Sequence, residues 1–372
     1  MKIKKIECFP LILPIAEIYG GAAGFLEDCR SLIVRLETED GVEGWGEATQ
    51  GRPGNTYETL ETMQIMAERC FAPALAGMDL EQTGSVLRKL QRARYGHPLT
   101  KAAMETAIFD ALGKLYRVPV YRLLGGPYRT EIDLVGGLGL DLGPQAIEAQ
   151  VRKLKQQGFN TFKLKIGQKD RAQDVERVRM AREAAGPEAS IRVDGNASYT
   201  FADARELLAA LAPFRITDAE QPLARSDLES LAALRRAVAI PIAAQESISS
   251  PEDVLAVAKL QAADLLKIKL THIGGFTRSL RVAAVAEAAG MPVVVGQGSA
   301  CTPLLSAAEL HLHASLNNAQ PAGEMTGFLR LAAQKIVAPI EVSGARARVP
   351  AKPGLGIEVD AERLRRAAVS AH

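Results

Sequence analysis

From about residue 130 onward the chain repeats one unit, a short apolar run followed by a longer stretch with helical periodicity. The runs are Ile132–Val135, Thr161–Ile166, Ser190–Val193, Ile216–Ala219, Ile240–Ala244, Leu265–Leu270 and Pro292–Val295. Apolar runs of this kind suit strands buried on both faces, which is the environment of a parallel sheet. Strand–helix alternation at this pitch allows a closed barrel or a doubly wound sheet. Seven or eight units favour the barrel. Such a barrel takes roughly 200–250 residues, so a chain of 372 residues has room for a second, smaller unit.

That unit is expected at the N-terminus. Met1 to Leu13 and Ser31 to Leu36 read as strands, with Asp40-Gly41 as a hairpin turn. The glycine-rich stretch Tyr19 to Gly24 reads as a loop over a site or a plain surface loop. Residues 55–123 turn helical; Met104, Ala107, Ile108, Ala111, Leu112 and Leu115 form one apolar stripe. Strands followed by helices indicate an α+β unit that exits through Leu123-Leu124-Gly125-Gly126-Pro127. The expected division is 1–126 for this unit, 127–350 for the barrel, and 351–372 for a tail, with a short strand and helix, that packs back on the first unit.

In a parallel barrel the residues ending each strand share one mouth. Here the second run carries Lys163 and Lys165, the third ends at Asp194, the fourth at Glu220, the fifth at Gln245-Glu246, and the sixth carries Lys267 and Lys269. Asp194, Glu220 and Glu246 follow one another at intervals of 26 residues, one strand–helix unit each. Three converging carboxylates are costly unless a cation joins them. Oxygen ligands suit a hard divalent ion, Mg²⁺ before others, with Mn²⁺ as an alternative. Lysines two apart on a strand share a face, so both pairs point inward. Neighbouring positive charge is expected to lower the lysine pKa from about 10.4 toward the range of a base. One lysine on each face of a substrate can then remove and return a proton.

These motifs, Lys-x-Lys, Asp-x-Asn, Glu-Gln-Pro, Glu-Ser and a late Lys followed by Gly274-Gly275, resemble the enolase superfamily, in particular its muconate-lactonizing-enzyme-like subgroup. Gly44-Trp45-Gly46-Glu47 and the stretch Ala102–Gly126 match as well, so the resemblance covers nearly the whole chain. It implies a modified (β/α)₇β TIM-type barrel with an N-terminal α+β capping domain, and an enediolate intermediate formed next to a substrate carboxylate. By position it implies Lys165 and Lys269 as the acid/base pair, Lys163 as an auxiliary, and Asp194 and Glu220 as metal ligands. It also implies a homo-oligomer. Gln245 departs from the subgroup, which has Asp there, and Glu246 is assigned as third ligand instead. Cys301 stands where the subgroup often has Glu, and no His occupies Val295-Gly296-Gln297, which argues for lysine rather than His–Asp chemistry.

Other polar residues divide less sharply. Lys267 suits an outward structural role or an active-site one, and Glu324 lies near the expected eighth strand end. His272 sits by the mouth, where a satisfied polar role is favoured over substrate contact. His311 and His313 read as structural, and Cys301 as a small filler lining the pocket. A net charge of +2 gives no footprint for nucleic acid. No apolar run is long enough to span a bilayer, and Cys8, Cys29, Cys70 and Cys301 lack metal or disulfide spacing. A cytoplasmic protein is expected.

The favoured function is an isomerase, a racemase, epimerase or cycloisomerase, acting on a small-molecule carboxylate. The alternatives are a dehydratase using the same proton abstraction on a hydroxy-carboxylate or hydroxyproline-type substrate, and a non-catalytic barrel. The 19–25 loop and residues 297–302 are expected to decide the substrate.

Overall fold

The computed structural model describes residues 1–52, 54, 58–297 and 300–369. Positions 298 and 299, within the expected specificity segment, lie outside the described residues.

The chain opens with an antiparallel meander, β1 (Ile3–Gly21), β2 (Gly24–Thr38) and β3 (Glu43–Thr49). Gly41 makes the expected turn between β2 and β3 at φ 80°, donating its N–H to Thr38 O at 3.0 Å. The glycine-rich stretch is not a separate loop. Both strands run on through it, pairing Gly21 with Gly24 about a turn at Ala22-Ala23. The result is a long hairpin whose tip reaches the barrel mouth.

Strand alternation gives this sheet two apolar faces. Leu32, Val34 and Leu36 pack under the helices, while Leu11, Leu13, Ile33 and Trp45 join the barrel core. The helical layer comprises α1 (Leu60–Met66), a π-helical turn (Ala67–Phe71), α2 (Ala72–Leu75), α3 (Thr83–Ala93), α4 (Pro98–Leu115) and α5 (Val120–Leu123). The expected apolar stripe belongs to α4, but almost the whole of that helix is buried, polar residues included. On one side Gly44 and Gly46 let it lie backbone to backbone on β3. A Cβ at either glycine would stand 2.0 Å from the carbonyl oxygen of Ala107 or Ala103. Two of its acidic side chains bond to other elements. Glu105 accepts from the N–H and hydroxyl of Thr277, both at 2.6 Å, and Asp110 accepts from the N–H groups of Trp45 and Leu355.

The barrel follows as β4 (Glu131–Leu134), β5 (Gly136–Leu138), β6 (Thr161–Lys165), β7 (Ser190–Asp194), β8 (Asp218–Glu220), β9 (Ile242–Ala244), β10 (Leu265–Lys269), β11 (Val293–Gly296) and β12 (Ala322–Gly323). Strands β5 to β11 form one sheet, each parallel to the next. The first stave is interrupted at Val135: β5 pairs with β6, while β4 pairs with β12. The ring closes where Gln320 and Glu324 donate their N–H groups to Val293 and Val295, at 2.8 and 3.0 Å. A hairpin, β13 (Val342–Ser343) and β14 (Arg346–Arg348), adds to β4.

Between staves run α6 (Pro144–Gln156), α7 (Arg171–Ala185), α8 (Phe201–Leu211), α9 (Leu228–Ala237), α10 (Pro251–Leu260), the short α11 (Leu270–Ile273), α12 (Phe276–Ala288) and α13 (Pro303–Ala314). Asp170, Thr200, Asp227, Ser250 and Thr302 start their helices by accepting a backbone N–H in the first turn. Glu47 on β3 reaches the start of α13, accepting from the N–H groups of Thr302 and Leu305 at 2.9 and 3.0 Å, and from Ser31 at 2.7 Å. The tail ends in α14 (Ala361–Ala367), and Val369 donates to Pro10 O. Among the described residues of the tail, the expected strand is reduced to isolated bridges, Pro119 with Gly354 and Val337 with Val359. No described helix is long and apolar enough to cross a membrane.

Candidate active site

Register brings the named side chains together. Lys165 ends β6 directly beside Asp194 at the end of β7, and Asp194 lies beside Glu220 at the end of β8. Glu246 follows two residues after β9, and Lys269 closes β10 on the far side of the ring. The i, i+2 spacing turns Lys163 and Lys165 inward together, and Lys267 and Lys269 likewise. All four are buried.

The ammonium of Lys163 sits among Glu220 at 2.5 Å, Asp194 at 2.8 Å and Glu324 at 3.0 Å. Lys165 pairs with Asp194 and donates to Asn196 Oδ1 at 3.0 Å. Lys267 faces inward, pairing with Glu220 at 2.6 Å and with Glu324. Lys269 donates to Gln245 Oε1 at 2.8 Å. Gln245, at the position of the missing Asp, therefore carries the second lysine.

The two outer lysines lie below the ordinary lysine range, but not chiefly through the neighbouring ammonium groups expected from the sequence. Burial is the largest cause for both. For Lys165 the guanidinium of Arg52 comes next, ahead of Lys163. For Lys269, Lys163 and Lys267 add a smaller push against the pull of Glu246 and Glu220. Lys163 goes the other way. Burial would depress it, but Asp194, Glu220 and Glu324 outweigh burial and hold it well above its usual value. Burial would raise Asp194, yet the lysines around it hold it well below the carboxylate range.

The lysines open on a cavity whose wall includes Lys163, Lys165, Lys269, Glu324, Arg52 and Arg330. His272 also lines it. Cys301 does not; it is fully buried against Gln297 and Ser306, with its thiol pushed well above the usual value by burial. His311 is buried between the Tyr121 N–H and the Leu355 carbonyl, and His313 is buried as well.

The carboxylates interleave with the lysines, and Glu324 lines the cavity beside them. Among the described residues no three acidic, imidazole or thiol side chains stand as a ready-made ligand cage, because ammonium groups hold the oxygens. Of the three expected ligands, Glu220 and Glu246 nevertheless each keep one buried oxygen, Oε1 and Oε2, without a hydrogen-bond partner among the described residues. The other oxygen of Glu246 accepts from Asn196 at 3.2 Å, and burial raises the pKa of this carboxyl. Unpartnered anionic oxygens are hard donors of the kind a Mg²⁺ ion takes, so the residues present fit such an ion.

Two sequence profiles match, the mandelate racemase/muconate lactonizing enzyme N-terminal domain over residues 21–125 and the enolase C-terminal domain-like family over residues 146–363. The chain belongs to the mandelate racemase/muconate lactonizing enzyme family of the enolase superfamily. Within that family it is 31% identical to muconate cycloisomerase 1 of Rhodococcus opacus, over 98% of each chain. The N-succinyl Arg/Lys racemase of Bacillus cereus superposes with a TM-score of 0.94 at 30% identity, covering 100% of this chain and 99% of the other. A dipeptide epimerase of Enterococcus faecalis, solved with Mg and L-Leu-L-Tyr, gives 0.91 at 30% identity over 96% and 99%.

Of three further cavity residues, Arg52 and Arg330 had no signal in the sequence pattern, while Tyr19 lies in the stretch expected to reach a site. Arg52 follows β3 in an irregular segment, Arg330 ends a 3₁₀ turn after β12, and Tyr19 lies in the glycine-rich stretch. Arg330 stacks on the Tyr19 ring, 4.1 Å from its centroid. Their position at the mouth depends on the hairpin reaching over the barrel, a contact between distant parts of the chain.

Proposed function

We propose that the chain is a Mg²⁺-dependent racemase, epimerase or cycloisomerase that removes the proton α to the carboxylate of a small molecule. The chain is an isomerase of its superfamily. The observation that carries the residue roles is the placement of Lys165 and Lys269. They end staves separated by β7, β8 and β9, face one cavity, and both lie below the ordinary lysine pKa.

In this reading Asp194, Glu220 and Glu246 hold the ion. It supplies positive charge that stabilises the dianion left when a carboxylate loses its α-proton. Lys165 acts from one face and Lys269 from the other. The neutral amine removes the proton, and the opposite ammonium returns one to the other side, which inverts the carbon. Asn196 and Gln245 orient the two Nζ atoms through their amide oxygens. Lys163, held cationic by three carboxylates, is suited to the substrate carboxylate rather than to proton transfer.

The test is NMR of a carboxylate library with enzyme and Mg²⁺ in D₂O. Deuterium at the α-carbon with the skeleton retained is the expected result for a racemase or epimerase, and ring closure for a cycloisomerase. Loss of a β-hydroxyl instead would make the chain a dehydratase. No exchange with any carboxylate, from a protein shown by calorimetry to bind Mg²⁺, would remove the lysines from the mechanism.

A further inference from the structure

We infer that Arg177, a buried residue of α7, is a positioning residue for Lys165: it holds the backbone of that lysine from behind, at the point where strand pairing has run out. The inference rests on the function proposed above, in which Lys165 moves the α-proton, and adds a residue to that reaction.

The gap that Arg177 fills follows from strand geometry. Ile166 donates its N–H across to Asp194 O at 3.0 Å. The backbone groups of successive strand residues point to alternate sides, so the Lys165 carbonyl turns the other way, toward β5. That strand ends at Leu138, opposite Leu164, and offers no further rung. The guanidinium takes its place. It donates to Lys165 O at 2.7 Å, to Gly139 O at 2.6 Å and to Leu142 O at 2.8 Å, bridging the ends of the two staves. Arg177 is only 1% exposed. Burying a guanidinium is costly unless its donors are taken, and here they go to the backbone of the barrel mouth.

Asp174, one turn earlier on α7 and fully buried, completes the clamp. Its Oδ1 accepts from Arg177 Nη1 at 3.0 Å. Its Oδ2 accepts from the N–H groups of Gly167 and Gln168, both at 2.9 Å, and from the Tyr199 hydroxyl at 3.1 Å. The ion pair therefore grips the Lys165 carbonyl and the turn that follows it, and ties in the segments after β5 and β7. Gly167 stands at φ 130°, and a Cβ there would lie 2.8 Å from Ala22 Cβ at the hairpin tip. The gripped turn thus has α7 on one side and the tip on the other. Lys269 is held differently: its strand pairs with β11 at Gly296, and α11 begins at the next residue. A catalytic amine displaced by about 1 Å from its substrate loses much of its rate, so a clamp on the backbone of Lys165 acts on the chemistry without touching the substrate.

The experiment pairs Arg177→Lys with Arg182→Lys. Arg182, on the same helix, donates to the carbonyls of Phe214, Gly186, Ala189 and Arg215. Ala189 directly precedes β7, so these bonds lie at the end of the barrel opposite the mouth. The probe is the carboxylate that takes up deuterium fastest in the D₂O library, with saturating Mg²⁺. One ammonium cannot span three carbonyls, so Arg177→Lys is expected to lower kcat about 10- to 100-fold. KM is expected to stay within about twofold, because the change removes no substrate contact. Tyr199→Phe, which takes one bond from Asp174, is expected to act in the same direction by less, and carries the test if Arg177→Lys does not fold. Arg182→Lys is expected to lower the melting temperature and keep kcat. Amide hydrogen exchange of the Mg²⁺-loaded protein is expected to quicken at residues 166–168 in Arg177→Lys and not in Arg182→Lys. A folded Arg177→Lys with wild-type kcat overturns the inference, as does a loss of kcat that Arg182→Lys reproduces. A wild type that exchanges no carboxylate defeats the lysine mechanism itself, a failure that shows before any substitution is made.

Discussion

Lys165 and Lys269 share a function in this reading but not an electrostatic history. Both are depressed first by burial, but Lys165 is also pressed by Arg52, whereas Glu246 pulls Lys269 back toward its cationic form. A lowered amine pKa makes the free base available at lower pH. The rising limb of activity for the proton removed by Lys165 should therefore have its midpoint below the ordinary lysine value. Taking away the Arg52 charge stabilises the ammonium, so in Arg52→Gln that limb should move to higher pH. A limb that stays fixed in a pH–rate profile would mean that Lys165 is not the titrating base. At this scale the lysines and acids were legible because chemistry demands those residue types at strand ends. Arg52 was not. Its burial is created by a hairpin tip some thirty positions earlier and by staves more than a hundred positions later, and no local pattern encodes either.

At the scale of elements, the staves of the barrel could be read from their composition, since a strand covered on both faces has little use for polar residues. The ends of the same strands were less legible, because β8 and β9 are only three residues long and start later than their apolar runs. The hairpin β1–β2 was misread at Tyr19–Gly24 because glycine signals turns more often than strand, and here it serves close approach instead. The same holds for β3. Gly46 has its missing Cβ directed at the backbone of α4, which has no flexible end to yield. Gly46→Ala should cost about 1–3 kcal/mol in chemical denaturation, the usual range for overpacking. Gly84 in α3 has nothing within 4 Å, and Gly84→Ala there should gain about 0.5 kcal/mol by helix propensity. Equal effects from the two substitutions would mean that β3 and α4 are not in contact.

Across the whole molecule, a few buried polar side chains join parts that the sequence separates widely. His311 on α13 accepts from Tyr121 N–H at 3.2 Å through Nδ1, so its proton lies on Nε2, 3.1 Å from Leu355 O. Burial pushes its pKa down to about 4. The unfolded chain, with histidine near 6.5, thus binds a proton that the folded state refuses, so stability falls as pH falls between those values. From pH 7 to pH 5 this residue should cost the wild type about 2 kcal/mol. His311→Gln, which keeps an acceptor and a donor, should show a loss smaller by that amount in urea titrations at the two pH values. Parallel curves would place the proton elsewhere.

Glu47 carries a consequence for how the protein is made. Its partners Thr302 and Leu305 lie 255 and 258 residues further along. At a synthesis rate of about 5–20 residues per second, roughly 10 to 50 seconds separate them on the ribosome. Throughout that interval the sheet lacks the helix start that satisfies this carboxylate, and of its described partners only Ser31, on the neighbouring strand, is already present. The N-terminal unit is therefore born unfinished. Its final closure waits for α13, which follows the seventh stave, and the ring itself closes one stave later, at β12.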